Sequence, residues 1–253
     1  MIGRRGVLGL LTFGAVAGLS ACGLVKSYKP FRYRLTVEVD TPQGLRTGSS
    51  VIEVEAGEVG TTLGGAGVQV RGEAVAVDLP GGQTLFALLR GDHEPYNFAG
   101  SVMFRVTQMP PREPSDSKKR FGRRVKAVRA NRKLNIIPRM RPGYFADVDP
   151  PFSAYPMLVR FRDIADPTTV EWVDPDNLAA GFGDGVKLRQ ITVQLTEDDV
   201  TRDIEQRLSA TFWRLWGSKH QDELNKGNIR NNPYFGSLRG RLSRNDFTTE
   251  SST

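Results

Sequence analysis

Phe31-Arg32-Tyr33-Arg34-Leu35-Thr36-Val37-Glu38-Val39-Asp40 is the stretch on which the fold of this chain turns. Tyr33, Leu35, Val37 and Val39 point one way; Arg32, Arg34, Thr36, Glu38 and Asp40 point the other. A period of two, with β-branched and aromatic residues on the apolar side, predicts a strand with one face buried and one in water. Thr41-Pro42-Gln43-Gly44 is turn chemistry, and Ser50, Ile52 and Val54 predict a second strand beyond it, with Ser49 and Ser50 still in the turn.

The pattern continues along the first half of the chain. Gly57–Gly67 reads as a glycine-rich loop. Val68–Leu79 alternates again, but its apolar set changes phase after Gly72, from Val68 and Val70 to Val75, Val77 and Leu79, which predicts a β-bulge. Pro80-Gly81-Gly82 is a tight turn, and the unbroken apolar run Thr84–Leu89 predicts a central strand. Val102, Phe104 and Val106 predict another strand over Ser101–Thr107. Residues 108–155 are different, rich in proline and in basic residues, and read as an insertion.

Regular patterning returns with strands at Met157–Arg162 and Val186–Leu195. Asp174-Pro175-Asp176 predicts a short helix closed by Gly181. From Thr196 onward, Val200, Ile204, Leu208, Phe212 and Leu215 share one face at helical spacing, and the aromatic group Phe212, Trp213 and Trp216 reads as core. The expected architecture is mainly β: an antiparallel sandwich or open barrel carrying one amphipathic helix, with an α+β arrangement as the neighbouring possibility. Its span is 31–216, followed by a polar tail over 217–253.

Composition removes several classes. The 253 residues are 39% hydrophobic and 25% charged, which excludes a collagen-like, coiled-coil or wholly disordered chain. One cysteine excludes an intramolecular disulfide framework and a cysteine-rich zinc site. Two histidines leave little material for a metal centre, and neither metal nor cofactor is expected.

Residues 1–21 read as a signal peptide, with Arg4 and Arg5 as a positive start and an uncharged apolar stretch from Gly6 to Ser20. The quartet Leu19-Ser20-Ala21-Cys22 that follows resembles the lipobox of bacterial lipoproteins. The resemblance covers only these residues. It implies cleavage before Cys22, acylation of the Cys22 thiol and amine, and a lipid anchor on the periplasmic side of the cell envelope; residues 22–30 would be its tether. Arg4-Arg5 with Val7-Leu8 matches a twin-arginine signal in part, and Gly23 after the cysteine favours the outer membrane. Cleavage would take Arg4 and Arg5 from the 35 Lys+Arg that face 28 Asp+Glu, leaving a net charge of +5. Residues 156–208 resemble a block of uncharacterised proteobacterial proteins, and with no role attached to it that resemblance implies no site residue.

The loudest local feature is a basic run without an acidic residue: Lys118, Lys119, Arg120, Arg123, Arg124, Lys126, Arg129, Arg132 and Lys133. Phe121, Val125 and Val128 inside it are spaced as one helical face, although Gly122 and the valines weaken the helix. Such a stripe suits an anionic partner: phospholipid, lipopolysaccharide, peptidoglycan or an acidic protein. Nucleic acid is excluded by an envelope address, and returns only if the N-terminus does not act as a signal.

Other constellations are weaker. Asp92-His93-Glu94 places a histidine beside two carboxylates, with Tyr96 and Phe98 able to wall a cleft, and gives the alternative of an envelope-polymer hydrolase with His93 as base. Gly64-Gly65-Ala66-Gly67 lacks the following helix that a phosphate loop requires. Asp174-Pro175-Asp176-Asn177 lacks the alternating ligands of a calcium loop. The expectation is a non-enzymatic, membrane-anchored binding or assembly module.

Overall fold

The structure is a computed structural model that describes residues 24–59, 65–93, 98–108, 117–142, 151–227 and 232–249. Leu19, Ser20, Ala21 and Cys22 lie outside the described residues.

The alternation of the opening stretch appears directly as burial. In β2 (Phe31–Thr41) every odd-numbered residue is buried and every even-numbered one is half-buried. β2 pairs with β3 (Gly44–Val59) across the two-residue turn Pro42-Gln43, in register from Thr41↔Gly44 to Phe31↔Val54. β12 (Lys187–Thr196) lies on the other side of β2. β1 (Leu24–Ser27), β4 (Gly65–Arg71) and the short β7 (Asn135–Ile136) complete a six-stranded sheet. The order is β1-β3-β2-β12-β7, with β4 also on β3.

A second sheet runs β11 (Val170–Trp172), β10 (Pro156–Phe161), β6 (Gln83–Gly91) and β5 (Val75–Leu79). β8 (Met140–Arg141) and β9 (Phe152–Ser153) form a separate ribbon. All pairings are antiparallel, and neither sheet closes. The fold is therefore mainly β, as expected, with antiparallel sheets that are not closed into a barrel. It also carries more helix than the one amphipathic helix and the short helix expected: α1 (Phe98–Val106), α2 (Ser117–Ala130), α3 (Ala179–Phe182), α4 (Ile204–Arg207), α5 (Ala210–Asn225), α6 (Pro233–Gly236) and α7 (Leu238–Arg241).

The two sheets share a core made of Tyr33, Leu35, Val37, Val39 and Ile52 from one and Val75, Val77, Leu85, Ala87 and Leu158 from the other. They approach closely at Gly48 in β3. A Cβ there would lie 2.2 Å from the Ala76 carbonyl oxygen, so only glycine fits. β6 is buried on both faces. Leu85 and Ala87 meet the first sheet, while Phe86 and Leu88 belong to a second core with Ile204, Leu208, Phe212, Trp216, Leu242 and Phe247. This double burial is why Thr84–Leu89 carries no alternation.

Several expectations need correction. Ser101–Thr107 is not a strand but part of α1. Phe98, Ala99, Val102 and Met103 are all buried, a helical stripe that overrides the alternation of Val102, Phe104 and Val106. The phase change at Gly72 is real but is not a bulge. Gly72, at φ +146°, is where the chain leaves the first sheet for the second. Of the expected loop Gly57–Gly67, residues 57–59 end β3 and residues 65–67 begin β4, and residues 60–64 lie outside the described residues. Ser49 and Ser50 stand in β3 and not in a turn.

The long helix expected from Thr196 is broken. Ser209 caps a new start by accepting the Phe212 N–H, which puts Trp216 rather than Leu215 on the buried face. Leu215 is 45% exposed. The helix opened by Asp174 is a turn leading into α3, which ends at Gly183 (φ +96°) and not at Gly181. Of the expected tether 22–30, the described residues 24–30 are built into the fold. β1 pairs with β3, the Tyr28 N–H donates to Ala56, and its hydroxyl donates to Glu58 at 2.8 Å. A polar tail does not begin at residue 217, because α5 runs on to Asn225 and Phe247 is fully buried.

One buried carboxylate ties these parts together. Glu73 Oε2 accepts the backbone N–H groups of Asp203 (2.5 Å) and Ile204 (2.8 Å), and Oε1 accepts the Thr248 hydroxyl (3.2 Å). Burial pushes this carboxyl above the ordinary range, and the three hydrogen bonds oppose the shift without cancelling it. An acid whose folded value is raised stabilises the fold fully below its unfolded value, and that contribution is lost as pH rises through the folded value. Glu73→Gln keeps the acceptor and should gain on the wild type as pH is raised from 4 to 7 in urea unfolding. Glu73→Ala strands two buried donors and should cost about 3 kcal/mol. Gly48→Ala should cost about 3 kcal/mol by overpacking, read from the same urea midpoints.

Candidate functional site

The basic run folds as α2 and continues past its end. Val125 and Val128, at 2% and 0% exposure, bind the helix to the first core. Phe121 stacks on Phe104 at 5.9 Å, and Tyr28 meets it edge-on at 5.9 Å. Gly122 has a packing reason. A Cβ there would lie 2.7 Å from the Tyr28 hydroxyl, so glycine lets the start of the sandwich lie against the helix.

Docking by this apolar stripe turns the cations outward. Arg120, Lys126 and Arg129 are exposed, and Arg132 and Lys133 extend the exposed surface beyond the helix. Arg129 sits in the last turn, where a positive charge complements the helix dipole. Arg123 and Arg124 are half-buried, with Arg124 over the Phe104 ring at 5.6 Å. Burial, and then the nearby Arg120 charge, hold Arg124 below the usual arginine range. Lys118 and Lys119 stand in the first turn, and their side chains lie outside the described residues.

Neighbouring elements add charge that the run itself does not contain. Arg105 of α1 is lowered to about 10, first by burial and then by repulsion from Arg141 of β8. A cavity of about 350 Å³ opens between the end of α2 and the starts of β2 and β12's final turn. Lys29, Arg32, Arg129 and Arg132 line it, with Glu53 and Glu197. Arg32 pairs with Glu53 (2.9 Å) and Asp199 (3.0 Å), and Arg132 with Glu197 (3.4 Å). Lys29 and Arg129 have no ion pair among the described residues, which leaves the cavity able to hold an anionic group. Lys29 and Arg32 sit some ninety residues from the run in sequence, and the packing of α2 on the first core and on Tyr28 brings them to it.

The other constellations come apart. Asp92 accepts the Trp172 indole N–H at 3.1 Å, while His93 stacks on Phe152 with centroids 4.5 Å apart. Glu94 and Tyr96 lie outside the described residues. Ser50 is fully buried in β3, and Ser49 accepts from Arg34. β4 begins at Gly65, so a strand and not a helix follows the glycine run. Asp174 accepts the Asp176 N–H at 2.9 Å, and Asp176 pairs with Arg139 at 2.9 Å. Among the described residues, no group of three or more His, Cys, Asp or Glu side chains could hold a metal ion. No described helix is long and apolar enough to cross a membrane. Compared with family models, curated proteins and solved structures, the chain matches none of them.

If α2 is held by its apolar stripe and its charges are free for a partner, the two sets should separate in mutation. Replacing Arg120, Lys126 and Arg129 together by Gln should change stability by no more than about 1 kcal/mol. Val128→Ala alone should cost about 2 kcal/mol. Thermal unfolding followed by circular dichroism reads both.

Proposed function

We propose that the protein is a membrane-anchored envelope lipoprotein, a binding or assembly module that presents α2 to an anionic surface. The observation that carries this reading is the position of the basic helix. Tyr28 packs on Phe121 of α2 and lies six residues after Cys22. Six residues span at most about 20 Å, so a lipid on Cys22 holds the cationic face close to the bilayer. Each exposed Lys or Arg there contributes about 1 kcal/mol in attraction to anionic headgroups. Anchor and helix then act as two signals, one covalent and one electrostatic.

The hydrolase alternative rests on His93 and finds less support, because Asp92 is committed to Trp172 and the His93 ring to Phe152. A nucleic-acid role for α2 would need a chain that stays in the cytoplasm.

Membrane fractionation of wild type beside Cys22→Ala, with mass spectrometry of the mature N-terminus, tests the anchor. The wild type should float with membranes and begin at an acylated Cys22, and the variant should not. The Arg120, Lys126 and Arg129 triple Gln variant should bind phosphatidylglycerol vesicles at least about tenfold more weakly than wild type, with the difference shrinking in salt. A soluble wild type starting at Met1 would sink the reading. Steeply salt-dependent binding of that protein to duplex DNA would then assign α2 to nucleic acid.

A further inference from the structure

Away from the basic helix, a cleft of about 510 Å³ lies between β4, the start of α1 and the C-terminal segment. One wall is apolar: Val68, Val70, Leu89, Phe98 and Ala99. Arg90, Arg241 and Asp246 also line the cleft. So do His220, Ser243, Asn245 and Thr249, and its size is that of a small-molecule site.

Arg90 is the unusual member. It continues the β6 alternation on the side of Thr84, Phe86 and Leu88, next to the apolar pair that fills the second core, and it is only 8% exposed. Its Nη1 donates to the Arg241 carbonyl at 2.8 Å and reaches Asp246 Oδ2 only at 3.5 Å. That same oxygen already accepts the Ser243 N–H at 2.7 Å and the Ser243 hydroxyl at 3.1 Å. The Arg90 Nε–H is buried and has no hydrogen-bond partner among the described residues. A buried guanidinium with an unmet donor and one distant, shared carboxylate is incompletely compensated. Arg241, exposed at the rim, adds a second positive charge. Two guanidiniums against one carboxylate favour a monoanion, and the planar fork of Arg90 matches a carboxylate.

We infer that this cleft binds a small aliphatic carboxylate, its headgroup on Arg90 and its chain along Val68, Val70 and Phe98. The inference is independent of the anchor and of α2. The test uses the full chain in phosphatidylcholine nanodiscs, titrated with decanoate labelled with ¹³C at the carboxyl carbon and read by NMR against empty nanodiscs. One saturable site above the empty-disc background is expected, displaced by unlabelled decanoate and not by decanol. Val70→Trp fills the cleft without touching a charge and should weaken binding at least about tenfold. Arg90→Lys keeps the charge but loses the fork and should also weaken it, and exposed Arg241→Gln gives a smaller loss in a variant whose folding is not at stake. Three results would each overturn the inference: no saturable component, decanol competing as well as decanoate, or unchanged affinity in Val70→Trp.

Discussion

Leu85, Phe86, Ala87, Leu88 and Leu89 lie in one strand with apolar side chains packed on both of its faces, and the architecture depends on that strand being filled twice. Its odd-numbered residues close the sandwich against β2 and β3, and Phe86 and Leu88 hold the layer of α4, α5 and the C-terminal segment. A single fully buried Phe or Leu is worth about 2 kcal/mol, so each layer gains from the other through the same backbone. The close approach of Ala76 to Gly48 follows from the same demand: the second sheet must sit low enough on the first for β6 to reach it.

Local patterning made the strands legible and long-range packing hid the rest. β2 could be read because half-burial in a sheet imposes its own period, and β6 because double burial abolishes it. α1 was misread because Val102, Phe104 and Val106 happen to alternate inside a helical stripe. The decision belongs to Phe98, Ala99 and Met103, which meet partners far away in sequence. The C-terminal segment looked like a tail because its core contribution rests on two isolated residues, Leu242 and Phe247, with no period between them.

The candidate site divides in the same way. A basic run is visible to inspection, and so is the spacing of Phe121, Val125 and Val128. What sequence could not supply was Lys29 and Arg32 at the end of that helix, or the reason for Gly122, both of which follow from the position of Tyr28. Arg90 carries no motif of its own. Its meaning lies in continuing the alternation of an apolar strand, a charged residue where the pattern asks for a leucine.

The Glu73 clip has a consequence for the order in which the chain folds. Gly72 and Glu73 hydrogen-bond to Thr248 and Thr249, more than 170 positions later, and Phe247 fills the layer that Phe86 begins. Such pairings carry the entropy of closing a very long loop, which slows their formation. The sandwich core of β2, β3, β5 and β6 is complete in sequence by residue 91, apart from β10 and β12, yet the layer behind it stays open until the last residues are free to return. A ribosome that still holds residues 242–249 therefore keeps this molecule in a half-built form, with the face of Phe86 and Leu88 uncovered.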